Sequence, residues 1–382
     1  MTAPVRVAAP ADGACTLPRV EALGAARVAR WLLTGPAQKI IGPHAGAVAG
    51  WVSADTEARA DYIYPEITGY FLQWLAWMAR CHGREPVFVQ RAADAVGWLT
   101  RLFSQASPPP TRIYLDAAQQ DWRNDALFTF DLAMVLRGIG AATKTGLAIP
   151  PTKLIDRVCD LLSMLVGVDG QFDACRRHED GARFPDRWST RRGPFLAKAA
   201  SGIIEASEAL PNVPAALVDA AKRSFDASID ALVRAPHGET HPFLYAVEGF
   251  LARPNHPAFA ARLPTIAGHF DTLLDRSREL GRVPEALTHP GTLRLDIVAQ
   301  TVRAGLLLEA HFGERISRRR ELDSLADTLA QYVRSDGALP FSPDAHVVQL
   351  NIWTAMFAEQ ALALADREPR EIARNAVSPT IV

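Results

Sequence analysis

The 382-residue sequence lacks most of the features that mark specialised classes of protein. Its four cysteines lie far apart without a C-x-x-C pair, which argues against a zinc knuckle or a disulfide framework. Basic and acidic residues are nearly balanced, 41 against 42, so the charge does not suggest a nucleic-acid-binding protein. The motifs G-x-G-x-x-G, H-E-x-x-H and G-x-S-x-G and the P-loop are also missing. We therefore expect neither a metal nor an organic cofactor.

Long hydrophobic runs are absent as well. The first 23 residues contain no apolar run of the length found in a signal peptide, and no later stretch is long enough to span a bilayer. These two absences predict a cytoplasmic protein without a membrane span. Because 48% of the residues are apolar and 22% are charged, the chain can nevertheless bury a large core.

Helical periodicity dominates the sequence, with apolar residues at i, i+3, i+4 and i+7, whereas strict alternation is short and confined to loops. Six segments are apolar on nearly every face, which is typical of buried helices. They are residues 64–79, 127–142, 193–206, 241–252, 293–308 and 349–364. Six others carry one apolar stripe and a charged face: residues 19–33, 86–103, 152–167, 215–235, 259–280 and 318–335. Because the two kinds alternate, the sequence predicts an all-α (α/α)6 toroid of six parallel inner helices and six outer helices.

Five of the buried segments share a small residue near the middle. These residues are Gly138, Gly202, Gly249, Gly305 and Ala361. A glycine within a helix costs about 1 kcal/mol relative to alanine, so its recurrence needs a compensating contact. We expect close packing between neighbouring inner helices at these positions.

No shift in composition divides the chain into two domains. We expect a flexible amino-terminal segment at 1–18, one toroid domain at 19–368 and a carboxyl-terminal tail at 369–382. Short hairpin-like loops should lead into the inner helices on one side of the ring. The longest loop segments, 108–111 and 169–192, are candidates for a functional role, because long loops in compact domains are often functional.

Parallel inner helices would bring six amino termini to one mouth. Each terminus offers unpaired N–H groups and about half a positive charge, which favours anionic groups such as a uronate carboxylate or a phosphate. Polar and aromatic residues at these ends are therefore the candidate site residues. Those assigned to catalysis are Glu66, Asp131, Asp125, His241 and Asp296. Those assigned to substrate binding are Tyr64, Trp122, Arg123, Trp188, Arg192, Lys198, Tyr245, Glu248, Arg294, Asn351 and Trp353.

These residue types suit a sugar, because aromatic rings stack on pyranose faces, arginines bind carboxylates and acids transfer protons. Hydrolysis needs two carboxylates roughly 5 to 10 Å apart, for which Glu66 with Asp131 or Asp125 is the favoured pair. A uronate lyase or a sugar epimerase needs a base, an acid and a cation. The residues available for those roles are His241, Tyr245 and either Arg192 or Arg294.

Structural roles for the same residues stay open. Glu66 lies in a first helical turn, where an acid complements the helix dipole. His241 precedes Pro242, a residue suited to the first helical position, and is a candidate helix cap. Asp296 can form an ion pair with Arg294. The other candidates with a possible structural role are Asp125, Asp131, Lys198, Glu248, Trp188 and Trp353.

The six-hairpin pattern resembles the six-hairpin glycosidase-like superfamily, with Y-P-E-x-T-G-Y opening the first buried segment and N-x-W opening the last. The resemblance covers nearly the whole chain at the level of fold. Members include glycoside hydrolases, unsaturated uronyl hydrolases, polysaccharide lyases, sugar epimerases and proteins of bacterial polysaccharide biosynthesis.

The resemblance implies that the mouth binds an oligosaccharide or polysaccharide substrate, an acidic one given the helix termini. Glycoside hydrolase-type acid–base chemistry is the leading expectation, followed by uronate lyase or sugar epimerase activity. Also open are a non-catalytic glycan-binding or assembly protein of a polysaccharide pathway, and a cyclase on a related helical toroid. The oligomeric state stays open.

Overall fold

A computed structural model describes most of the chain between residues 23 and 372. The described residues are 23–54, 59–116, 119, 121–177, 184–234, 238–313, 318–367 and 371–372. The predicted amino-terminal segment at 1–18 lies outside them, as do most of the predicted tail at 369–382 and part of the loop at 169–192. The predicted domain boundaries therefore stay predictions.

Within the described residues the chain forms twelve α-helices of two alternating kinds. The odd-numbered helices are α1 (Leu23–Thr34), α3 (Pro86–Phe103), α5 (Thr152–Ser163), α7 (Ala215–Arg234), α9 (Pro257–Leu280) and α11 (Arg319–Gln331). The even-numbered helices are α2 (Pro65–His82), α4 (Thr129–Lys144), α6 (Leu196–Ala209), α8 (Thr240–Leu251), α10 (Leu295–Phe312) and α12 (Ile352–Ala365). None of these helices combines the length and the apolar character that a membrane span requires.

The even-numbered helices form a closed inner ring. Each packs against the next in chain order, and α12 packs back against α2. The odd-numbered helices lie outside, with α1 against α12, α3 against α2, and the others against the inner helix that precedes them. Side chains of α2 are buried on all faces, whereas α3 buries one side only, as their hydrophobic patterns require. The predicted all-α (α/α)6 toroid is confirmed.

Three short antiparallel sheets hold the amino-terminal ends of inner helices in place. The pairs are β1 (Trp51–Ser53) with β6 (Gln349–Asn351), β2 (Tyr62–Ile63) with β3 (Ile113–Tyr114), and β4 (Ala126–Phe128) with β5 (Cys175–Arg177). Strands β2, β4 and β6 lead directly into α2, α4 and α12. The sheets therefore tie residues from distant loops to the first turns of three inner helices.

Glycines allow neighbouring inner helices to approach closely. A Cβ atom on Gly138 of α4 would collide with the backbone of Gly69 in α2. Gly249 of α8 lies in the same way against the backbone of α6. At these two positions the predicted close packing is confirmed. Gly305 differs, because a Cβ atom there would collide with the side chain of Leu322 in the outer helix α11.

Replacing Gly138 by alanine is expected to lower the free energy of unfolding by about 1 to 3 kcal/mol, because the added methyl group overpacks a rigid backbone contact. Urea unfolding would measure the change. Gly268→Ala in α9 is a matched control, since a Cβ there meets no atom within 4 Å. The control should be stabilised by up to about 1 kcal/mol through helix propensity. Equal stability of the two variants would contradict a close contact at Gly138.

Glu359 is a buried acid two turns into α12, away from the amino termini of the ring. Its Oε2 atom accepts hydrogen bonds from Nε1 of Trp74 at 2.9 Å and of Trp77 at 3.1 Å. Burial raises the pKa of Glu359 to about 7, although the two indole N–H groups oppose the shift. The folded protein therefore retains this proton at pH values where the unfolded chain has released it.

Stability should fall as the pH rises from 4.5, the ordinary pKa of this group, towards 7. The contribution of Glu359 to this fall is expected to be about 3 kcal/mol. Glu359→Gln keeps an oxygen acceptor for both tryptophans but does not titrate, so its free energy of unfolding should lack this decline. Urea unfolding of both proteins between pH 5 and 8 would measure the difference. An equal decline in both would assign the pH dependence to other groups.

Candidate active site at the inner-helix mouth

A cavity of about 260 Å³ opens where the amino-terminal ends of all six inner helices meet. The helix ends contribute Tyr64, Glu66, Ile67, Phe128, Phe130, Asp131, Phe195, His241, Tyr245, Arg294 and Trp353 to its lining. The loops contribute Thr111, Arg112, Arg123, Arg187, Trp188 and Ser189. Parallel inner helices converge on one mouth, and the side chains there include acids, a histidine, arginines and aromatic rings.

Two carboxyl groups lie in contact on one wall of the cavity. Glu66 and Asp131 stand in the first turns of the adjacent helices α2 and α4, and their side chains are within hydrogen-bonding reach of each other. The hydroxyl of Tyr64 donates a hydrogen bond to Asp131 Oδ2 at 3.2 Å. This arrangement is closer than the separation of roughly 5 to 10 Å expected for a hydrolytic pair.

The Glu66–Asp131 pair retains a proton. Burial raises the pKa of both carboxyl groups, and the neighbouring Glu66 raises that of Asp131 further. Two buried carboxylates in contact cannot both ionise readily, so their protons are released in coupled steps. The pair thus keeps a proton at a pH where isolated carboxyl groups are ionised, and it can act as an acid.

His241 lies on another part of the same cavity wall. Helix α8 begins at Thr240, so His241 lies inside the first turn and is not its cap. Its Nδ1 atom is 2.7 Å from Oε1 of Gln300 and 3.6 Å from Oδ2 of Asp296. Burial lowers the pKa of His241 to about 4, although the carboxylate of Asp296 opposes this. The imidazole is therefore neutral at physiological pH and can accept a proton.

Asp296 is fully buried behind the cavity lining and does not face the ligand space. Arg294, the residue before α10, binds it with two hydrogen bonds of 3.1 and 2.7 Å. Burial favours the protonated acid, yet Arg294 and His241 hold the pKa of Asp296 below its ordinary value. Asp296 therefore holds Arg294 at the cavity wall in an ion pair.

A group of arginines surrounds the mouth. Arg112 and Arg123 share one carboxylate, that of Asp121, at 3.1 and 3.0 Å. The guanidinium group of Arg112 also lies 4.8 Å from the ring centre of Tyr62. Arg187 is exposed at the rim. Since Arg112 and Arg123 share one anion, they leave an excess of positive charge at their part of the mouth, and Arg187 adds a further cation to the lining.

Sequence reasoning missed four lining residues that come from loops, namely Thr111, Arg112, Arg187 and Ser189. Thr111 closes the segment 108–111, Arg112 follows it, and the other two lie within 169–192. The available signal was the length of these loop segments, which marked them as candidates without assigning a role to any residue. Their paths across the mouth depend on the pairing of β2 with β3 and of β4 with β5.

Aromatic rings form much of the remaining cavity wall. Phe130 and Tyr245 lie with ring centres 4.7 Å apart, and Trp188 packs edge-on against Phe195 at 5.0 Å. Trp353 contributes a further ring at the start of α12. Such flat apolar surfaces suit the faces of pyranose rings.

Three predicted loop residues do not line the cavity. Asp125 is exposed at the end of a short 3₁₀ turn. Trp122 packs against Phe128, with ring centres 6.1 Å apart, and so supports the wall from behind. Arg192 is bound by carboxylates on the outside of the mouth, including Asp169 at 2.5 Å. All three side chains were predicted to face the substrate, and local turn geometry directs them elsewhere.

Three further predicted residues also lie outside the lining and have structural contacts. Oδ1 of Asn351 accepts a hydrogen bond from the backbone N–H of Thr354 at 3.0 Å and so caps α12. Lys198 and Glu248 are buried and form an ion pair of 2.7 Å. Nε of Arg303 donates to the same carboxylate at 3.1 Å. This buried cluster of Lys198, Glu248 and Arg303 keeps its charges paired, because an unpaired buried charge would be costly.

In the ranges that the structure describes, no group of three or more His, Cys, Asp or Glu side chains is arranged as a metal site. Burial raises the pKa values of four acids of the lining, Glu66, Asp131, Tyr64 and Tyr245, and lowers that of His241. The chemistry available to these side chains is therefore proton transfer.

The sequence matches no protein-family model and shows no significant similarity to a curated protein. Its structure is similar to that of a D-mannose isomerase, with a TM-score of 0.67 and 14% identity over 89% of this chain and 96% of that chain. A cellobiose 2-epimerase from Spirochaeta thermophila gives a TM-score of 0.65 and 13% identity, covering 91% and 97%. An unsaturated glucuronyl hydrolase from Bacillus sp. gives 0.63 and 13%, covering 92% and 96%. The chain therefore shares the (α/α)6 toroid fold of these three proteins.

Proposed function

We propose that this protein is a carbohydrate-active enzyme that removes and returns a proton at a carbon atom of a bound sugar. The Glu66–Asp131 pair serves as the acid and His241 as the base. The observation that carries the proposal is that a proton-holding carboxyl pair and a neutral histidine line the same cavity. The reaction class is epimerisation or isomerisation beside a carbonyl group, with β-elimination from a uronate as its close relative.

The opposite pKa shifts support this assignment of roles. A general acid must hold a proton at the working pH and a general base must lack one. Burial raises the pKa of Asp131 and lowers that of His241, so each group is in the required state. The pair can donate to a carbonyl oxygen while His241 accepts the proton from the adjacent carbon. Arg294, beside His241 at the wall, can stabilise the negative charge that develops.

The cavity lining supports a sugar as the substrate. The lining contains both aromatic rings and arginines. In addition, three structurally similar proteins are named for activities on sugars. The presence of Arg112, Arg123 and Arg187 in the lining supports a sugar that bears a carboxylate, because guanidinium groups bind carboxylates through paired hydrogen bonds. A polar lining does not favour a cyclase, which needs an apolar cavity.

Hydrolysis is the second candidate, because the proton-holding pair can also protonate a glycosidic oxygen. Since Glu66 and Asp131 are in contact, they do not leave the space for a substrate atom or water between them that an ordinary two-carboxylate mechanism uses. A hydrolase at this site would use the Glu66–Asp131 pair both to protonate the glycosidic oxygen and to activate the attacking water. Alternatively, His241 would activate the water.

The test is a panel of neutral and uronic aldoses, ketoses and oligosaccharides, incubated with the protein in D₂O and followed by proton NMR. For epimerisation or isomerisation we expect deuterium at the carbon next to the carbonyl group of the product. For elimination from a uronate we expect an unsaturated product, with deuterium at that carbon only in substrate that has exchanged and returned. His241→Asn should abolish the exchange. His311→Asn, at the far end of α10 from the mouth, is the control and should retain it.

Different outcomes of this panel decide between the candidate functions. Release of a new reducing end with neither deuterium at carbon nor an unsaturated product would favour hydrolysis. Sugar binding, measured by calorimetry, without any turnover would favour a non-catalytic glycan-binding protein. The absence of both binding and turnover over the whole panel would contradict a carbohydrate function.

A further inference from the structure

We infer that Gln300 is a positioning residue that fixes the tautomer of His241, with the ring proton on Nδ1 and the Nε2 lone pair left for the substrate. The importance of this tautomer for turnover rests on the proposed role of His241 as the base. The assignment of the tautomer itself does not, since it follows from hydrogen-bond donors and acceptors alone.

Gln300 connects the cavity wall to the buried ion cluster below it. The residue lies in the second turn of α10 and is fully buried. Its Oε1 atom is 2.7 Å from Nδ1 of His241, and its Nε2 atom donates to Oε2 of Glu248 at 3.3 Å. The two ends of one amide group therefore meet two different partners.

The orientation of this amide is set by Glu248. That carboxylate also accepts a hydrogen bond from Nε of Arg303 at 3.1 Å and one from Nζ of Lys198 at 2.7 Å. Because an arginine stays charged in proteins, Glu248 beside it is ionised and can only accept hydrogen bonds. Arg303 and Lys198 hold the pKa of Glu248 below its ordinary value against the effect of burial. The amide must therefore turn its NH₂ group towards Glu248 and its oxygen towards His241.

An oxygen acceptor facing Nδ1 requires that Nδ1 carries the proton. The second neighbour of Nδ1 is Oδ2 of Asp296 at 3.6 Å, and it is also an acceptor because Arg294 binds it. The charged groups that act on His241 are Asp296 and Arg294 near α10 and Glu248 on its own helix, with Gln300 as the neutral partner. All the acceptors near the ring favour a proton on Nδ1.

Two aromatic rings pack against the imidazole of His241. Tyr245 lies with its ring centre 4.3 Å from that of His241, and Trp188 lies at 5.8 Å. Because Nδ1 is directed at Gln300 and His241 lines the cavity, Nε2 is the ring nitrogen that is left for a substrate. A neutral histidine in this tautomer presents a lone pair to the substrate, as a general base requires.

Nitrogen NMR of the full chain labelled with ¹⁵N-histidine tests the tautomer directly. The signal of His241 is identified by its loss in His241→Asn. We expect a neutral ring protonated at Nδ1 in the wild type at pH 7. Gln300→Leu removes the acceptor and should shift the ring towards the Nε2-protonated form. Gln73→Leu, which replaces a buried glutamine of α2 that does not contact His241, should leave the signal unchanged.

Gln300→Glu is the conservative variant and also covers the case in which Gln300→Leu does not fold. A protonated carboxyl group can donate to Glu248 and accept from Nδ1, so the wild-type tautomer should be retained. When that carboxyl group ionises at higher pH, it should favour the imidazolium form, and the pKa of His241 read from the NMR titration should rise above its wild-type value. A wild-type ring protonated at Nε2, or a Gln300→Glu titration identical to that of the wild type, would overturn the inference.

Steady-state kinetics, on a sugar identified by the deuterium-exchange panel, test whether the tautomer of His241 matters for turnover. For Gln300→Leu we expect kcat to fall by about 10- to 1,000-fold, because wrongly oriented or wrongly protonated histidines lose activity on this scale, while KM changes little. Gln300→Glu should recover much of the loss at low pH. If the NMR result holds but His241→Asn still turns over the sugar, the proposed function fails and the tautomer assignment stands. If kcat of Gln300→Leu equals that of Gln73→Leu, the positioning role is wrong.

Discussion

Asp131→Asn should lower kcat on the active sugar by about 10²- to 10⁴-fold, the range that a positioned acid contributes to a proton transfer. Asparagine has nearly the same size as aspartic acid, and its oxygen can still accept the hydrogen bond from Tyr64. It cannot share a transferable proton with Glu66. The binding of sugar should change little, so the loss should appear in kcat and not in KM. Steady-state kinetics would measure both constants.

The matched control for this variant is Asp125→Asn, six residues earlier, whose side chain is exposed and outside the cavity lining. It should keep wild-type activity. The raised pKa of the acidic pair also predicts that, on the alkaline side of the pH profile, the wild-type rate falls when the shared proton is removed. Activity in Asp131→Asn within a few-fold of the wild type would exclude the pair as the acid.

Glu248→Leu should lower the free energy of unfolding by about 3 to 5 kcal/mol, because it leaves buried cations without their carboxylate. Arg303 is completely buried and stays charged, while burial lowers the pKa of Lys198 to about 7 against the opposing effect of Glu248. Lys198 can therefore escape part of the cost by losing its proton, whereas Arg303 cannot. Urea unfolding at pH 7 would measure the loss.

Glu208→Ala is the control for Glu248→Leu, since its carboxylate forms a half-exposed pair with Lys144 at 3.5 Å. Exposed pairs contribute about 0 to 1 kcal/mol, so the two variants should differ clearly. Adding Lys198→Met to Glu248→Leu should recover part of the stability, because one of the two unpaired cations is then absent. A loss in Glu248→Leu no larger than that of Glu208→Ala would show that the buried cluster does not stabilise the ring.

The fold was predictable because the burial of each helix is reflected in the hydrophobic pattern of its own sequence. The predicted outer segment 86–103 has the same bounds as α3, since both the helix and its apolar stripe are determined by neighbouring residues. The strands at the mouth were not predicted. They are two or three residues long and form only because distant loops pair, as Tyr62 does with Tyr114.

The candidate site was predictable in part from the first turns of the inner helices, which bring Glu66, Asp131 and His241 to the cavity. Asp296 and Lys198 also lie in first turns, but they are held by ion-pair partners outside the lining. The buried residues Lys198 and Glu248 pair with each other, because the ring interior offers no water to solvate them. A sequence pattern indicates that such charges need partners, but it does not say which residues supply them.

The sequence alone determined the alternation of fully buried and one-sided helices, and with it the ring and the mouth. The physical reason is that hydrophobic periodicity is a local property of each helix. Only the tertiary structure decided that the carboxyl groups of Glu66 and Asp131 touch and that Gln300 stands between His241 and Glu248. These contacts cross between helices, and they depend on how closely and at what rotation the helices pack, which no single segment encodes.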